Sequence, residues 1–305
     1  MNILSLVVQR TRAAINRRRF ERELAAILRT PPVVLGKDAF TALSMVHHRD
    51  VESYLLAIKS FCRFMHPRRI VMVADPSITD ADRSRIASHV IGIEIVRAED
   101  YQEQGVPQGG TWERLMAISE YSQSDYVIQI DADTVTLSEM AEVKKAIAEA
   151  TSFALATEDG QQLVSCVEAA RWAKARADSG EHIQILAEAS LDRLPESESA
   201  RYVRGCSGFS GFAQGSFSRA QLKAFSQTMG GILGARWAAW GTEQFSSNFM
   251  VSNSPRACVL PHPKYCHPGR EKPGTVFLHF IGYVRFTTGR YARAARETCA
   301  ALGAT

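Results

Sequence analysis

The sequence predicts an α/β fold in which a mostly parallel sheet is flanked by helices. From residue 33 onward, short apolar runs alternate with helical patterns, which is the order of parallel strands joined by crossover helices. The run 126–130 is almost wholly apolar, as in a buried parallel strand, and two carboxylates, Asp131 and Asp133, follow it directly. With 305 residues and a hydrophobic content of 46%, the chain can bury a large core.

Each element is predicted from its local pattern. Apolar runs predict strands at 41–46, 70–74, 91–96, 126–130 and 153–157. Helical patterns predict helices at 51–65, 79–89 and 112–121. Asp80 and Asp82 suit the N-terminus of the second of these helices. Ser138 is expected to cap a helix over 138–150, and Thr242 a helix that opens with Glu243 and Gln244.

The chain divides into a basic helical segment, residues 1–32, and a main domain, residues 33–305. A polar, alanine-rich stretch near 160–201 predicts a helical insertion over one edge of the sheet. The segment 1–32 carries seven arginines and two glutamates. It is expected to pack on the body through Ile15, Phe20, Leu24 and Ile27. The alternative is a basic amphipathic helix that lies on an anionic membrane surface.

Charge and cysteine content restrict the functional class and the location. The net charge is +4 and most of the excess lies in residues 1–32, so the main domain is close to neutral and a general nucleic-acid surface is not expected. The six cysteines have no repeating spacing, which favours reduced thiols. The apolar run at the N-terminus is too short to span a bilayer, and no small-residue cleavage site follows it. We therefore expect a cytoplasmic protein, either free or held peripherally at the inner membrane face by its basic segment.

The acidic pair predicts a divalent cation site. Ligands of open α/β sheets bind beyond the carboxyl ends of the strands, which is where Asp131 and Asp133 lie. Residues two apart on an extended chain point the same way, so their oxygens can converge on Mg²⁺ or Mn²⁺. The alternative is a turn in which an aspartate caps the next helix. The glycine-rich stretch 204–217 allows either close backbone approach to a ligand or bends in a strand.

Two motifs carry a resemblance to a known family. Asp131-Ala132-Asp133 after the fourth predicted strand resembles the DxD motif of nucleotide-sugar glycosyltransferases with the GT-A fold. His279, Gly282 and Arg285 resemble the HxxGxxK pattern of the retaining, glycogenin-like group, although arginine replaces lysine and the usual Pro-Trp is absent. The resemblance covers roughly residues 41–288 and implies a GT-A domain with a Rossmann-like sheet.

The resemblance implies roles for the acidic pair and for the second motif. Asp133 would be the principal metal ligand, Asp131 would contact the metal, the ribose or both, and neutral His279 would supply a nitrogen ligand to Mn²⁺ or Mg²⁺. Gly282 and Arg285 would lie at the diphosphate. His279 is alternatively a core histidine between two phenylalanines.

Further residues are placed around the donor by the same resemblance. Val46, His47, His48 and Asp75 would form the nucleoside pocket, although the two histidines also fit a polar loop. Arg114 would reach the donor, or else form a surface ion pair with Glu113 or Glu120. Glu243, Gln244 and Asp131 would be catalytic. Glu243 would serve either as a general base in an inverting enzyme or as a group that binds the sugar or stabilises positive charge in a retaining one.

The function that follows is the metal-dependent transfer of a sugar, with retention, from a nucleotide-sugar donor. The donor implied is a UDP-sugar, and the acceptor is a glycan, a lipid-linked sugar or a small molecule. One alternative is a haloacid-dehalogenase-type phosphatase, because Asp131-Ala132-Asp133-Thr134 also resembles its DxDx[TV] motif, with Asp131 as nucleophile. That family usually carries the motif on its first strand. The other alternative is a noncatalytic protein that binds nucleotide sugars.

Overall fold

The computed structural model describes residues 3–176, 182–282 and 284–303, with the side chains of residues 3–7 left aside. The helices of the described part are α1 Ile3–Leu24, α2 Val51–Cys62, α3 Asp80–His89, α4 Trp112–Tyr121, α5 Ala141–Ala148, α6 Cys166–Lys174, α7 Ile183–Ala189, α8 Arg219–Leu233, α9 Thr242–Ser252 and α10 Arg290–Ala301. The strands are β1 Val33–Val34, β2 Asp38–Val46, β3 Pro67–Ala74, β4 Val90–Ile91, β5 Glu94–Arg97, β6 Tyr126–Ile130, β7 Thr134–Thr136, β8 Ser152–Leu155, β9 Val164–Ser165, β10 Arg201–Tyr202, β11 Cys206–Phe212, β12 Ala257–Val259, β13 Tyr265–Cys266 and β14 Phe277–His279.

A seven-stranded sheet organises the fold, with the strand order β12-β8-β11-β6-β2-β3-β5. The pairs β12–β8, β6–β2, β2–β3 and β3–β5 are parallel, and β11 runs antiparallel to both of its neighbours, β6 and β8. A smaller sheet, in the order β13-β14-β7, lies beyond the carboxyl end of β6. The predicted α/β architecture with a mostly parallel sheet is therefore confirmed.

The sheet separates two hydrophobic cores. Alternate side chains of β2 point to opposite faces, so that Ala42 belongs to one core and Leu43 to the other. Side chains of α1, α2, α3, α5 and α10 enter the first core, and those of α4, α6, α7, α8 and α9 enter the second. Both faces of a central strand such as β6 are covered, so its residues are all buried and, apart from Gln129, apolar.

Most predicted elements are confirmed, and three details are wrong. The predicted strand 91–96 is divided at Gly92 (φ +82°) into β4, which pairs with β1, and β5, which is an edge strand of the main sheet. Ser138 does not cap the next helix, because α5 begins at Ala141 after Met140. Thr242 is the first residue of α9, and Gly241 in a left-handed conformation precedes it as the N-cap. By contrast, Asp82 forms the predicted helix start, since its carboxylate accepts from the backbone N–H of Thr79.

The N-terminal segment packs on the main domain. Phe20, Leu24 and Ile27 are buried, whereas Ile15 is 55% exposed, so the prediction that Ile15 faces the body is wrong. Phe20 stacks on Tyr291 of α10 with ring centroids 3.8 Å apart. Lys59 of α2 donates to the carbonyl oxygens of Thr30 and Pro31, which ties the end of the segment to the body. None of the helices in the described part is both long and apolar enough to cross a membrane.

The range 160–201, predicted to be a helical insertion, contains α6 and α7, and residues 177–181 between them lie outside the described residues. That this range is an insertion stays a prediction. Its interior contains a buried carboxylate, Glu188, which is 2% exposed. The Tyr202 hydroxyl donates to Glu188 Oε1 over 3.0 Å, and a guanidinium nitrogen of Arg204 lies 3.4 Å from Oε2. Burial raises the pKa of Glu188 to about 7, although Arg204 and the Tyr202 hydroxyl oppose the shift.

We expect Glu188 to make the stability of the protein depend on pH. A carboxyl pKa that is raised by folding contributes stability that is complete below the unfolded pKa, near 4.5, and is lost as the pH rises through about 7. The free energy of unfolding of wild type should therefore fall relative to that of Glu188→Gln between these two values, by on the order of 3 kcal/mol. Urea unfolding of both proteins at several pH values measures this difference in the free energy of unfolding. Glu198→Gln, an exposed carboxylate in the same insertion, should follow wild type. A pH-independent difference between Glu188→Gln and wild type would contradict the assignment.

Candidate active site

Strand pairing brings three distant segments together at the carboxyl end of β6. The Asp131 N–H donates to the carbonyl oxygen of Gly208, which extends the pairing of β6 with β11. One residue beyond Asp133, β7 pairs with β14 in a register that places His279 opposite Thr134. The Phe280 N–H donates to the carbonyl oxygen of Asp133 over 2.8 Å. These backbone contacts place His279 beside the acidic pair.

Asp131, Asp133 and His279 form a cluster whose chemistry fits a divalent cation. One ligand atom from each residue can be chosen so that all three lie within 4.8 Å of one another. His279 Nε2 lies 3.0 Å from Asp133 Oδ1 and 3.7 Å from Asp131 Oδ2. Carboxylate oxygens together with an imidazole nitrogen suit Mn²⁺, and carboxylates suit Mg²⁺. The three residues predicted as metal ligands are therefore brought together.

Gly208 makes room for the histidine. A Cβ on Gly208 would lie 2.0 Å from Cε1 of His279, so only glycine permits the imidazole to lie against β11. The second ring nitrogen, His279 Nδ1, lies 3.3 Å from Cys206 Sγ. Contacts to the second nitrogen of a ligand histidine orient the first. The glycine-rich stretch 204–217 therefore allows the close approach of the His279 side chain to the backbone of β11.

Arg285 pairs with the carboxylate of Asp133, although it was predicted to lie at a diphosphate. Its guanidinium donates to Asp133 Oδ2, and it also lies 3.8 Å from Asp50 Oδ1. Burial raises the pKa of Asp133, but His279 and Arg285 outweigh this effect and hold that pKa below its usual value. Asp133 is consequently ionised at neutral pH, as a metal ligand must be.

Arg114 joins the acidic pair to a third carboxylate. Its side chain is buried, and its guanidinium donates to Asp131 and, over 3.1 Å, to both oxygens of Glu243. The predicted alternative, a surface pair with Glu113 or Glu120, is wrong. Burial raises the pKa of Glu243, and Arg114 opposes the shift in part. The Thr111 hydroxyl also donates to Glu243 over 3.0 Å.

These side chains line a cavity of about 280 Å³, and only some of its lining residues were predicted from the sequence. The predicted residues that line it are Arg114, Asp131, Asp133, Glu243, Gln244, His279, Gly282 and Arg285. Six other non-glycine residues that line the cavity were not predicted as site residues: Thr111, Gln184, Cys206, Ser207, Trp240 and Ile281. The glycine-rich stretch was the only signal for Cys206 and Ser207. Trp240 precedes α9 and begins the segment 240–249, whose resemblance to the family suggested a place near the sugar, although Trp240 itself was not predicted to contact a ligand. Gln184 lies on α7, and no local pattern identifies it.

The four residues predicted for the nucleoside pocket lie apart from this cavity. Val46 is fully buried, and its carbonyl oxygen accepts from the Asp75 N–H. His47 Nδ1 lies 3.1 Å from Asp75 Oδ2, and His48 Nδ1 lies 2.7 Å from Asp82 Oδ2 at the start of α3. The histidines thus have carboxylate partners in a polar loop, and a nucleoside pocket at this end of β2 stays a prediction.

Comparisons with known proteins bear on the fold. A scan of protein-family models and a search of curated proteins found no match. Two solved structures of the galactosyltransferase LgtC align with 87% of this chain and 97% of theirs at 12% identity. The active-site mutant gives a TM-score of 0.53, and the complex with donor and acceptor sugar analogues gives 0.48. The glycosyltransferase GlyE from Streptococcus pneumoniae TIGR4 aligns with 86% of this chain and 60% of its own at 12% identity, with a TM-score of 0.50.

The fold is that of the GT-A glycosyltransferases. The GT-A resemblance inferred from the DxD motif is therefore confirmed for the fold, while the narrower glycogenin-like assignment stays a prediction. In this chain the acidic motif follows β6 in the middle of the main sheet, whereas the family of the phosphatase alternative usually carries it on the first strand.

We expect Gly208→Ala to weaken cation binding by displacing His279. The added methyl group would overlap the imidazole, so the ring must leave its place beside Asp133. Calorimetric titration of Mn²⁺ should show an affinity at least about tenfold lower, close to that of His279→Ala. Gly231→Ala is the matched control, because a Cβ at Gly231 in α8 meets nothing within 4 Å. Wild-type Mn²⁺ affinity in folded Gly208→Ala would contradict this role for the glycine.

Proposed function

We propose that this chain is a glycosyltransferase that transfers a sugar from a nucleotide-sugar donor and depends on Mn²⁺ or Mg²⁺. The observation that carries the proposal is the Asp131–Asp133–His279 cluster at the carboxyl end of β6, in a chain with the GT-A fold. The galactosyltransferase activity named for LgtC supports it, since LgtC shares the fold. A UDP-sugar donor and retention of configuration rest on the resemblance of His279, Gly282 and Arg285 to the glycogenin-like pattern.

The charges of the cavity suit a diphosphate leaving group. Departure of a nucleoside diphosphate builds negative charge on phosphate oxygens, and cationic groups placed beforehand stabilise that charge. A divalent cation held by Asp131, Asp133 and His279 would supply positive charge there. Arg285 lies at the same cluster, and its planar guanidinium can donate two hydrogen bonds to phosphate oxygens. Gly282 lines the same cavity as Arg285, and the space beside its Cα is open, because a Cβ there would meet nothing within 4 Å.

The surroundings of Glu243 favour a positioning role over that of a general base. Both of its oxygens already accept from Arg114, and Thr111 donates to one of them. We assign Glu243 to hold Arg114, and Arg114 in turn to orient Asp131. Gln244 is the neighbouring polar group at the cavity and would contact the transferred sugar. An arrangement without a free base agrees with retention, in which no base on the opposite face of the sugar is needed.

Location and further partners remain proposals. We infer a cytoplasmic enzyme from its six free cysteines. The exposed arginines of α1, among them Arg10, Arg12 and Arg18, would favour contact with an anionic membrane surface if the acceptor is lipid-linked. A glycan and a small molecule are the other acceptor classes, and no nucleic-acid partner is proposed.

We expect Asp133→Asn and His279→Ala each to abolish metal-dependent nucleotide binding. Asp133→Asn removes the negative charge of one ligand and His279→Ala removes the imidazole, so the affinity for UDP in the presence of Mn²⁺ should fall by at least about 100-fold. Calorimetric titration of UDP, and of GDP for comparison, with and without Mn²⁺ measures this loss and identifies the preferred base.

The control for these two variants is Asp100→Asn. Asp100 pairs with Arg97 at the surface and lies outside the residues that line the cavity. Its variant should bind UDP as wild type does, and thermal melting should show that all three variants are folded. If both Asp133→Asn and His279→Ala bound UDP with the metal dependence of wild type, the site assignment would be wrong.

A further inference from the structure

Trp240 is a large apolar side chain at the mouth of the cavity, and 74% of it is exposed to water. Single exposed apolar residues are common on protein surfaces and need no function. This one differs in its position, because its indole lines the cavity of about 280 Å³ and also a second cavity of about 590 Å³ beside it. It therefore borders two spaces that a ligand can enter.

The backbone and the neighbours of Trp240 hold it in place. The Thr242 hydroxyl donates to the carbonyl oxygen of Ala239 and accepts from Nε1 of Trp112 over 3.0 Å, which fixes the chain on both sides of the tryptophan. Gly241 has φ +109°, and a Cβ on it would lie 2.8 Å from Cε1 of His182. The His182 ring packs edge-on against the indole, with centroids 5.8 Å apart and an interplanar angle of 85°. The indole is thus oriented in advance, which lowers the entropy cost of binding.

The second cavity joins the first at the proposed reaction centre. Both are lined by Gln184, Cys206, Trp240, Gln244, His279, Ile281 and Gly282. Its volume lies within the usual range for small-molecule sites. A molecule on Trp240 can therefore extend toward His279 and Gln244, where the transferred sugar would lie.

The chemistry of the second cavity suits a sugar ring. Among the described residues that line it there is no carboxylate, and the polar groups are the amides of Gln184 and Gln244, the Thr157 hydroxyl, Arg204 and histidines. Amides donate to and accept from hydroxyls, which a pyranose carries around its edge. The face of a pyranose ring is made of C–H groups and packs well on an exposed aromatic surface.

We propose that Trp240 is the stacking platform for a pyranose ring of the acceptor, with Gln184 and Gln244 as hydrogen-bond partners of that ring. The assignment rests on the proposed transferase function, and it favours a glycosidic acceptor over a small molecule without a sugar. A donor diphosphate would lie on the other side of His279, beside Asp133 and Arg285.

The test compares wild type, Trp240→Phe and Trp240→Ala in ligand-observed NMR titrations with the methyl pyranosides of galactose, glucose, mannose and N-acetylglucosamine. At least one pyranoside should bind wild type and Trp240→Phe with similar affinity. It should bind Trp240→Ala at least about tenfold more weakly, because the alanine variant has no aromatic face. Val34→Ala is the control, since Val34 is 71% exposed and lies outside both cavities.

A UDP titration of wild type with Mn²⁺ separates the two proposals. Pyranoside binding that depends on Trp240 without nucleotide binding would refute the donor assignment and leave the sugar platform intact. Nucleotide binding combined with equal pyranoside affinity of wild type and Trp240→Ala would refute the platform and leave the transferase proposal intact. Failure of every pyranoside to bind wild type would also refute the platform.

Discussion

The pairing of β7 with β14 is the interaction on which the candidate site depends. It joins residues 146 positions apart in the chain, His279 and Asp133, and fixes their separation through backbone hydrogen bonds. Because β7 begins directly after the acidic pair, the register of one short strand pair decides whether a nitrogen ligand reaches the carboxylates. A slip of one residue would turn His279 to the opposite face of the small sheet. The antiparallel strand β11 contributes to this arrangement, because Gly208 leaves space for the imidazole of His279.

Charge compensation explains how so many ionisable groups share one cavity. Asp131 and Glu243 both accept from Arg114, while Asp133 accepts from Arg285. A buried charge is tolerated when it is paired and hydrogen-bonded, and removal of one partner leaves the other exposed to the full cost of desolvation. Arg285 already donates to Asp133 Oδ2, so a bound cation and a diphosphate would have to share or replace this contact. The same residues thus compensate one another's charge in the protein alone, and under the proposed function they would also bind the donor.

The two cavities are lined by different kinds of side chain, which suit different parts of the proposed reaction. The smaller one contains the carboxylates and arginines that suit a metal and a diphosphate. The larger one contains amides, histidines and the exposed indole, and its described lining has no carboxylate. His279 and Gln244 lie where the two meet. Transfer of a sugar requires donor and acceptor to meet at one carbon atom, and this junction is where the chain would bring them together.

The sequence by itself determined the fold class, most of the strands and helices, and the residues of the cation cluster. Hydrophobic periodicity is a local property, so the predicted bounds of β6 and α4 are those of the structure. The acids that follow β6 are therefore placed at the carboxyl end of a buried strand. Tertiary structure alone decided the partners of Arg114, the exposure of Ile15, the division of the strand at Gly92 and the positions of Cys206 and Trp240. These features depend on which distant segments pack together, and such contacts are decided by the summed burial and register of the whole sheet. No short pattern in the chain contains that information.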